Sequence, residues 1–345
     1  MAYTVRSSER TRSSAAEHET KALLYLMNFR LDSNEIHYFV VDFFNDLTGM
    51  DRFADKLWDV QSKGAKNNSP NAIGKELVTL YKNFLSELDF KEYILFLGGV
   101  TSTLRIDEAL NIFDITNIQE TAILNIKDGL KKEAKEKSYI NNADITDEKI
   151  EQFLKKVIFV IDDKAPSEYV KAIIKEHPAI IPEEKILNAI FNEIRNTQSA
   201  LKNTVVEGVV IQTADEVLQY CRHLTNSEIR LMALNRIINR NPVEKNSIPP
   251  SFLPIYSSWI PEKQREMLDD CVQTLCKALF NKNAAAAFWA LFENIYKIIV
   301  SNPTFTVQEV YLNLDVNIRD ASPDFDAMSL KYFISNVKDG IQNDN

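Results

Sequence analysis

Asn45-Asp46-Leu47-Thr48-Gly49 and Leu57-Trp58-Asp59-Val60-Gln61-Ser62-Lys63-Gly64 decide how this chain is read. The second stretch alternates, with Leu57, Asp59, Gln61 and Lys63 on one face of a strand and Trp58, Val60 and Ser62 on the other. Upstream, Glu35 to Phe44 is rich in β-branched and aromatic residues and reads as a strand. Leu47 to Phe53, which holds Gly49, reads as the turn region. Downstream, Ala72 to Ser86 puts Leu77, Leu80, Tyr81 and Phe84 at helical spacing. Glu92 to Leu97 is an unbroken apolar run before Gly98-Gly99, the pattern of a central strand buried on both faces. With a helix expected from Ala15 to Phe29, the N-terminal part reads helix, strand, strand, helix, strand, which is α/β.

Ser13-Ser14 is placed to cap that first helix, and Glu17 falls in its first turn. Arg6, Arg10 and Arg12 lie on an arm ahead of it. Ile118 to Lys137 reads as a charged amphipathic helix, Asp147 to Lys155 as another helix, and Val157 to Asp162 as a second buried strand. Beyond, the segments 168–177, 183–201, 213–223, 227–239, 261–280 and 283–300 all read as helices. The Pro-rich stretch Ile248 to Pro261 reads as an extended connector. The expected organisation is an α/β domain over 1–165 with a central mixed sheet flanked by helices, and an all-α partner-binding or regulatory domain over 166–345.

A chain of 345 residues with 45% apolar and 26% charged residues has the composition of an ordinary globular protein large enough for two cores. Eight glycines favour long helices over a loop-rich all-β fold. A net charge of −9 is the wrong sign for a protein that coats nucleic acid nonspecifically, though it permits a basic cleft. Cys221, Cys271 and Cys276 lack zinc-ligand spacing, and so sparse a set fits a reducing cytoplasm. No secretory signal is expected at the N-terminus. The most apolar run, Ala284 to Val300, is interrupted by Glu293, Asn294 and Lys297 and reads as a buried helix rather than a membrane span. Phe288, Trp289, Phe292 and Tyr296 sit at helical spacing there and read as core. His18, His37, His177 and His223 show no ligand or nucleophile pattern and read as structural.

The chemistry-bearing residues lie in the opening stretch. Phosphodiester hydrolysis needs anionic oxygen ligands for Mg²⁺ (or Mn²⁺), a metal that polarises the phosphate, and a cation for the charge that develops at phosphorus. Asp46 offers a hard ligand, and the chain between it and Gln61 suffices for a turn and a returning strand. Period 2 sets Lys63 beside the Gln61 amide, and the Ser62 carbonyl is a further candidate ligand. Asp42, Asp51 and Asp59 are rivals to Asp46.

The pattern Asn45-Asp46 … Gln61-Ser62-Lys63 resembles the PD-(D/E)xK nuclease superfamily. Residues 5–165 look like the double-stranded DNA endonuclease domain of bacterial anti-phage effectors, the nuclease module of CBASS and Lamassu-type systems. Supporting the likeness are the Arg6-Ser7-Ser8 arm before a helix with Glu17 and Glu19, the Gln-x-Lys strand ending, and Lys75-Glu76-Leu77 … Tyr81-Lys82 before the strand at Phe96. The segment from Phe153-Leu154 to Val210 resembles the family's helical continuation. The chain departs from the commonest pattern in carrying Gln61 where an acid is expected. The resemblance then implies a helix-borne glutamate, Glu19 or alternatively Glu17, as second acidic ligand. It implies Asp46, Glu19, Gln61 and Ser62 around the metal and Lys63 at the water and the developing charge. It implies double-stranded DNA as substrate and phage defence as setting.

The same residues have plainer readings. Asp46 serves as a turn former, Gln61 and Lys63 as the wet side of an edge strand, Glu19 as an exposed helix charge, and Lys66 and Lys75 as surface lysines. No P-loop or nucleotide-sensor signature is present in the sequence. Control of a toxic nuclease is therefore expected from a partner in trans, an ATPase or SMC-like subunit docked on the helical half, with homo-oligomerisation left open. The alternative is a catalytically inactive nuclease-fold adaptor of such a complex, for which the glutamine at position 61 speaks.

Overall fold

The computed structural model describes residues 3–6, 13–174, 177–244, 247–322 and 324–342, with the side chains of Ser13, Ser14, Pro178, Lys282 and Gln342 left aside. The arm residues Arg10 and Arg12 lie outside the described set. Two compact units emerge: Met1–Ala165 with Ile194–Asn226, and Pro166–Glu193 with Ser227–Asn345. Residues 194–226, which the two-part division places in the helical half, belong to the first unit.

The strands of the first unit are β1 (Tyr3–Thr4), β2 (Tyr38–Val41), β3 (Leu47–Met50), β4 (Leu57–Lys63), β5 (Phe90–Leu97), β6 (Ile112–Phe113), β7 (Val157–Ile161), β8 (Val210–Ile211) and β9 (His223–Thr225). Among the described residues β1 pairs only with β8, and the other seven strands form one sheet in the order β6-β7-β5-β4-β3-β2-β9. β9, β2, β3 and β4 run antiparallel in turn, β4, β5 and β7 are parallel, and β6 closes the far edge antiparallel. The helices here are α1 (Ser13–Asn28), α2 (Pro70–Glu76), α3 (Val78–Phe84), α4 (Glu120–Glu136) and α5 (Asp147–Leu154). The sheet is mixed and flanked by helices, in line with the expected α/β architecture.

Several local readings need correction. The strand expected over 35–44 is only Tyr38–Val41, because Ser33–Glu35 forms a 3-10 turn and Asp42 takes a left-handed φ of 49°. The expected turn at Gly49 is strand β3. A Cβ on Gly49 would stand 3.2 Å from both Ile36 and Leu26, so glycine is there for the close approach of α1 to the sheet, not for bending. The bends fall on either side, over 42–46 and 51–56. The first helix begins at Ser13, so the Ser13-Ser14 pair belongs to its first turn instead of capping it.

The helix read over 72–86 is two, parted at Leu77. Ser69 caps the first, its Oγ accepting from Ala72 N at 3.3 Å, with Pro70 in the first turn. α2 packs against α4, while α3 lays its polar stripe along β4; the break lets each take its own direction. β5 and β7 match their apolar runs, and β5 lies between β4 and β7. α4 buries Ala122, Ile126, Leu130 and Ala134 and turns outward Lys127 and Lys131, which pair with Glu151 and Asp147.

The second unit is helical: α6 (Pro166–Ile174), α7 (Glu184–Leu201, ending in the first unit), α8 (Asn226–Ile237, starting at the last residue of the first unit), α9 (Leu253–Ser257), α10 (Pro261–Phe280), α11 (Ala285–Ser301), α12 (Val307–Leu312), α13 (Val316–Asp320) and α14 (Ala327–Gln342). Phe288, Trp289 and Phe292 are buried as expected, and the Phe288 and Phe292 rings meet Phe333 of α14 at 5.4 Å and 5.9 Å. The Pro-rich connector is partly helical, with a 3-10 turn at Pro250–Phe252 leading into α9. The helix read over 213–223 is a 3-10 segment, Ala214–Tyr220, followed by β9. Among the described residues no single helix is long and apolar enough to cross a membrane.

Candidate functional site

Strand period 2 and helical spacing of three to four residues meet along β4. Asn83 Nδ2 donates to Asp59 Oδ2 at 2.6 Å, Thr79 Oγ1 donates to Gln61 Oε1 at 2.7 Å, and Lys63 Nζ reaches Glu76 Oε2 at 3.0 Å. Alternate residues of the strand thus face successive turns of α3 and α2, and one polar seam holds the face on which Asp59, Gln61 and Lys63 were expected together.

Asp46 enters from the bend before β3. The β3–β4 register pairs Leu47 with Val60, so Asp46 falls opposite Gln61. Its Oδ2 accepts from Gln61 Nε2 at 2.8 Å, from Ser62 N at 2.9 Å and from Ser62 Oγ at 3.1 Å. Burial pushes the Asp46 carboxyl up to about 7 and the Glu19 charge adds to the rise, while the Ser62 N–H and the Lys202 charge pull against it. Glu19 on α1 is buried, and Lys202 Nζ lies 2.6 Å from its Oε2. That contact is an ion pair out of line for a hydrogen bond, so Oε2 lacks an aligned donor.

Of the expected ligand set, the two acids Asp46 and Glu19 act on each other only through charge. Gln61 turns its oxygen to Thr79 and offers its nitrogen to Asp46, which removes it as a ligand in this arrangement. Ser62 meets Asp46 through two donors rather than through its carbonyl. Among the described residues no cluster of three or more His, Cys, Asp or Glu stands ready for a metal. Two carboxylates, Glu19 buried with an oxygen lacking an aligned donor and Asp46 half-buried at the cleft, nonetheless suit a hard divalent ion in charge and chemistry.

The rivals have other duties. Asp42 faces Arg222 at 3.6 Å, and Asp51 Oδ1 accepts from Asp55 N and Lys56 N in the hairpin turn. Asp59 is enclosed by Asn83 and by Thr48 Oγ1, 3.4 Å away. Glu17 is exposed, at 4.0 Å from Lys21. His18 packs on the Phe96 ring with Nδ1 3.6 Å from Asp162, and His177 pairs with Glu293 at 3.2 Å. His37 and His223 lie against the Tyr38 ring.

Asp46 and Gln61 open into a cleft of about 240 Å³ of mixed charge, lined also by Arg6, Lys75, Lys82 and Lys137 and by Asp42, Glu76 and Glu133. A second hollow of about 590 Å³ shares Arg6, Lys82 and Tyr139 with it. Burial lowers the Lys82 ammonium to about 8 against the pull of Asp59. Lys66 is exposed and is not among the residues lining either hollow. Thr79, Asn83, Lys202 and Arg222 were not foreseen. Glu76, Thr79 and Asn83 carry a readable signal, since their spacing puts three polar groups on one helical stripe facing a polar strand face. Lys202 and Arg222 carry none.

Asp59 gives a pH test. Burial first, against the Asn83 hydrogen bond and the Lys82 charge, pushes its carboxyl up from 3.8 to about 7. The folded state then holds a proton that the unfolded chain has lost, so stability falls as pH rises from about 4 to about 7. Asp59→Asn keeps the shape and removes the titration. Its Tm should improve relative to wild type progressively between about pH 4 and pH 7, and a gap that stays constant over that range would contradict the buried-carboxyl account.

Comparison with protein-family models, with curated proteins and with solved structures finds no match to this chain. The reading of the site therefore rests on its geometry and on the sequence pattern.

Proposed function

We propose that the first unit is a divalent-metal-dependent nuclease that cleaves double-stranded DNA, with Asp46 and Glu19 holding the ion, as effector subunit of a bacterial anti-phage complex. One observation carries the reading: Asp46 stands hydrogen-bonded to Gln61 on a returning strand that ends in Lys63, at a cleft where Arg6, Lys75, Lys82 and Lys137 stand among Asp42, Glu76 and Glu133. DNA as substrate and defence as setting come from the sequence likeness to the PD-(D/E)xK superfamily.

A bound Mg²⁺ or Mn²⁺ would polarise the phosphate and lower the pKa of its water. The chain's own groups set the frame. Thr79 fixes the Gln61 amide, Gln61 and Ser62 fix Asp46 Oδ2, and Oδ1 is the oxygen left for a cation. Lys63 is one-third exposed and pairs with Glu76, a residue of the cleft lining; in this reading its ammonium meets phosphate charge. The net charge of −9 disfavours nonspecific DNA binding by the free chain, which suits activation by an ATPase or SMC-like partner on the helical unit. The test is conversion of supercoiled plasmid with Mg²⁺ or Mn²⁺, with and without the partner. Metal-dependent nicking that rises with the partner is expected, and full activity of the isolated chain would remove the partner control.

One arrangement favours a second reading, a catalytically inactive adaptor: chain donors already occupy Asp46 Oδ2, and Lys202 already pairs with Glu19. That reading expects no cleavage under any condition while partner binding persists.

A further inference from the structure

Lys202 sits in the turn that ends α7, where its N–H donates to Ser199 O at 3.2 Å. Its side chain is nearly enclosed, with an exposure of 11%, beside a Glu19 side chain exposed by 7%. A lysine is driven into such a place only by a compensating charge, and there the compensating charge is the acid expected to hold the metal. The ammonium also acts on Asp46, opposing the Glu19 charge. It therefore stands in the field of both carboxylates that a divalent ion would use.

The surroundings hold it there. Arg222, almost fully buried, donates from Nε to Leu201 O at 3.2 Å and from Nη2 to Lys202 O at 2.7 Å. Its Nη1 reaches Asp42 O, at the start of the bend that carries Asp46. One guanidinium thus ties the lysine-bearing turn to the aspartate-bearing bend. One turn back along α7, the Gln198 amide lies 2.8 Å from Thr20 Oγ1, next to Glu19 on α1.

We propose that Lys202 is a resident counter-cation of the carboxylate pair, competing with the divalent ion for Glu19 and Asp46, so that metal loads only as the ammonium is withdrawn. The proposal rests on the metal-site reading above. With both carboxylates ionised, the pair and Lys202 sum to a single negative charge, which is weak attraction for a divalent ion. Without Lys202 the same pocket carries two. A segment that moved α7 or its terminal turn would switch the site without touching Asp46. The resting state is then silent through charge balance, not through blockage of the cleft.

Mn²⁺ binding to the full-length chain, followed by calorimetry and by the loss of free-ion EPR signal, tests this without any substrate. Lys202→Met should bind Mn²⁺ about tenfold tighter than wild type or better, and Lys202→Arg, which keeps the charge, should stay near wild type. Glu19→Gln in the Lys202→Met background should cancel the gain, and this double variant leaves neither charge of the buried pair unmatched, so it also controls for folding. If Lys202→Met binds no tighter than wild type while Asp46→Ala still weakens binding, the counter-cation role falls and the metal site stands. If wild type and every variant fail to bind Mn²⁺, the metal site falls and the counter-cation role with it.

Discussion

Lys63→Ala and Asp46→Ala should each lower Mg²⁺-dependent plasmid cleavage by about 100-fold or more, the scale lost when a charge-stabilising group or a metal ligand is removed. Lys63→Ala is the cleaner change. It pairs with Glu76, both side chains are partly exposed, and such pairs contribute about 1 kcal/mol or less, so the fold should persist. Lys63→Arg keeps the charge and should recover part of the rate. Asp46→Ala strands the Gln61 amide and the two Ser62 donors, at about 1–3 kcal/mol for each buried group left unmatched. Asp46→Asn is its partner, since the carboxamide oxygen still accepts from those donors while the ligand charge is gone. The readout is the rate of supercoiled-to-nicked conversion, paired with thermal melts to separate lost chemistry from lost fold. Wild-type cleavage in both alanine variants would remove this site.

Gly74→Ala should destabilise the first unit by about 3 kcal/mol or more, at the upper end of what overpacking costs. α2 and α4 cross at a pair of glycines. A Cβ on Gly74 would stand 2.1 Å from Ile126 O and 2.8 Å from Leu130 N, and one on Gly129 would stand 2.3 Å from Asn71 O. All are backbone atoms, so no side chain can swing away, and the two helices would have to separate along their length. Gly129→Ala should behave alike. Gly208→Ala is the contrast, because φ there is +80° and nothing lies within 4 Å of the added atom. Its cost is that of the left-handed backbone alone, about 1 kcal/mol. Urea or thermal unfolding ranks the three. Losses at Gly74 and Gly129 no larger than at Gly208 would show that the helices part easily. Because α2 also supplies Lys75 and Glu76 to the cleft, a folded remnant of Gly74→Ala should lose cleavage along with stability.

What was legible in the sequence was whatever neighbours along the chain decide. The alternation of β4, the apolar runs of β5 and β7 and the stripe of α4 each follow from a period imposed by one element on its own residues. Asp46 and Gln61 could be paired because a hairpin is a local structure. Gly49 was misread because a glycine made necessary by close packing carries the same letter as one made necessary by a turn, and the packing partners Leu26 and Ile36 lie on other elements.

Only the tertiary structure decided which way the site's polar groups point. Thr79 orients the Gln61 amide, turning an expected ligand oxygen into a donor to Asp46. Lys202 meets Glu19, and Arg222 reaches Asp42 across 180 positions of chain. No period or spacing announces such pairs, because each member is an ordinary exposed-type residue in its own window. Burial makes the pairing obligatory: a charge removed from water must find its counter-charge, and which one it finds depends on how the stretch 194–226 packs into the first unit.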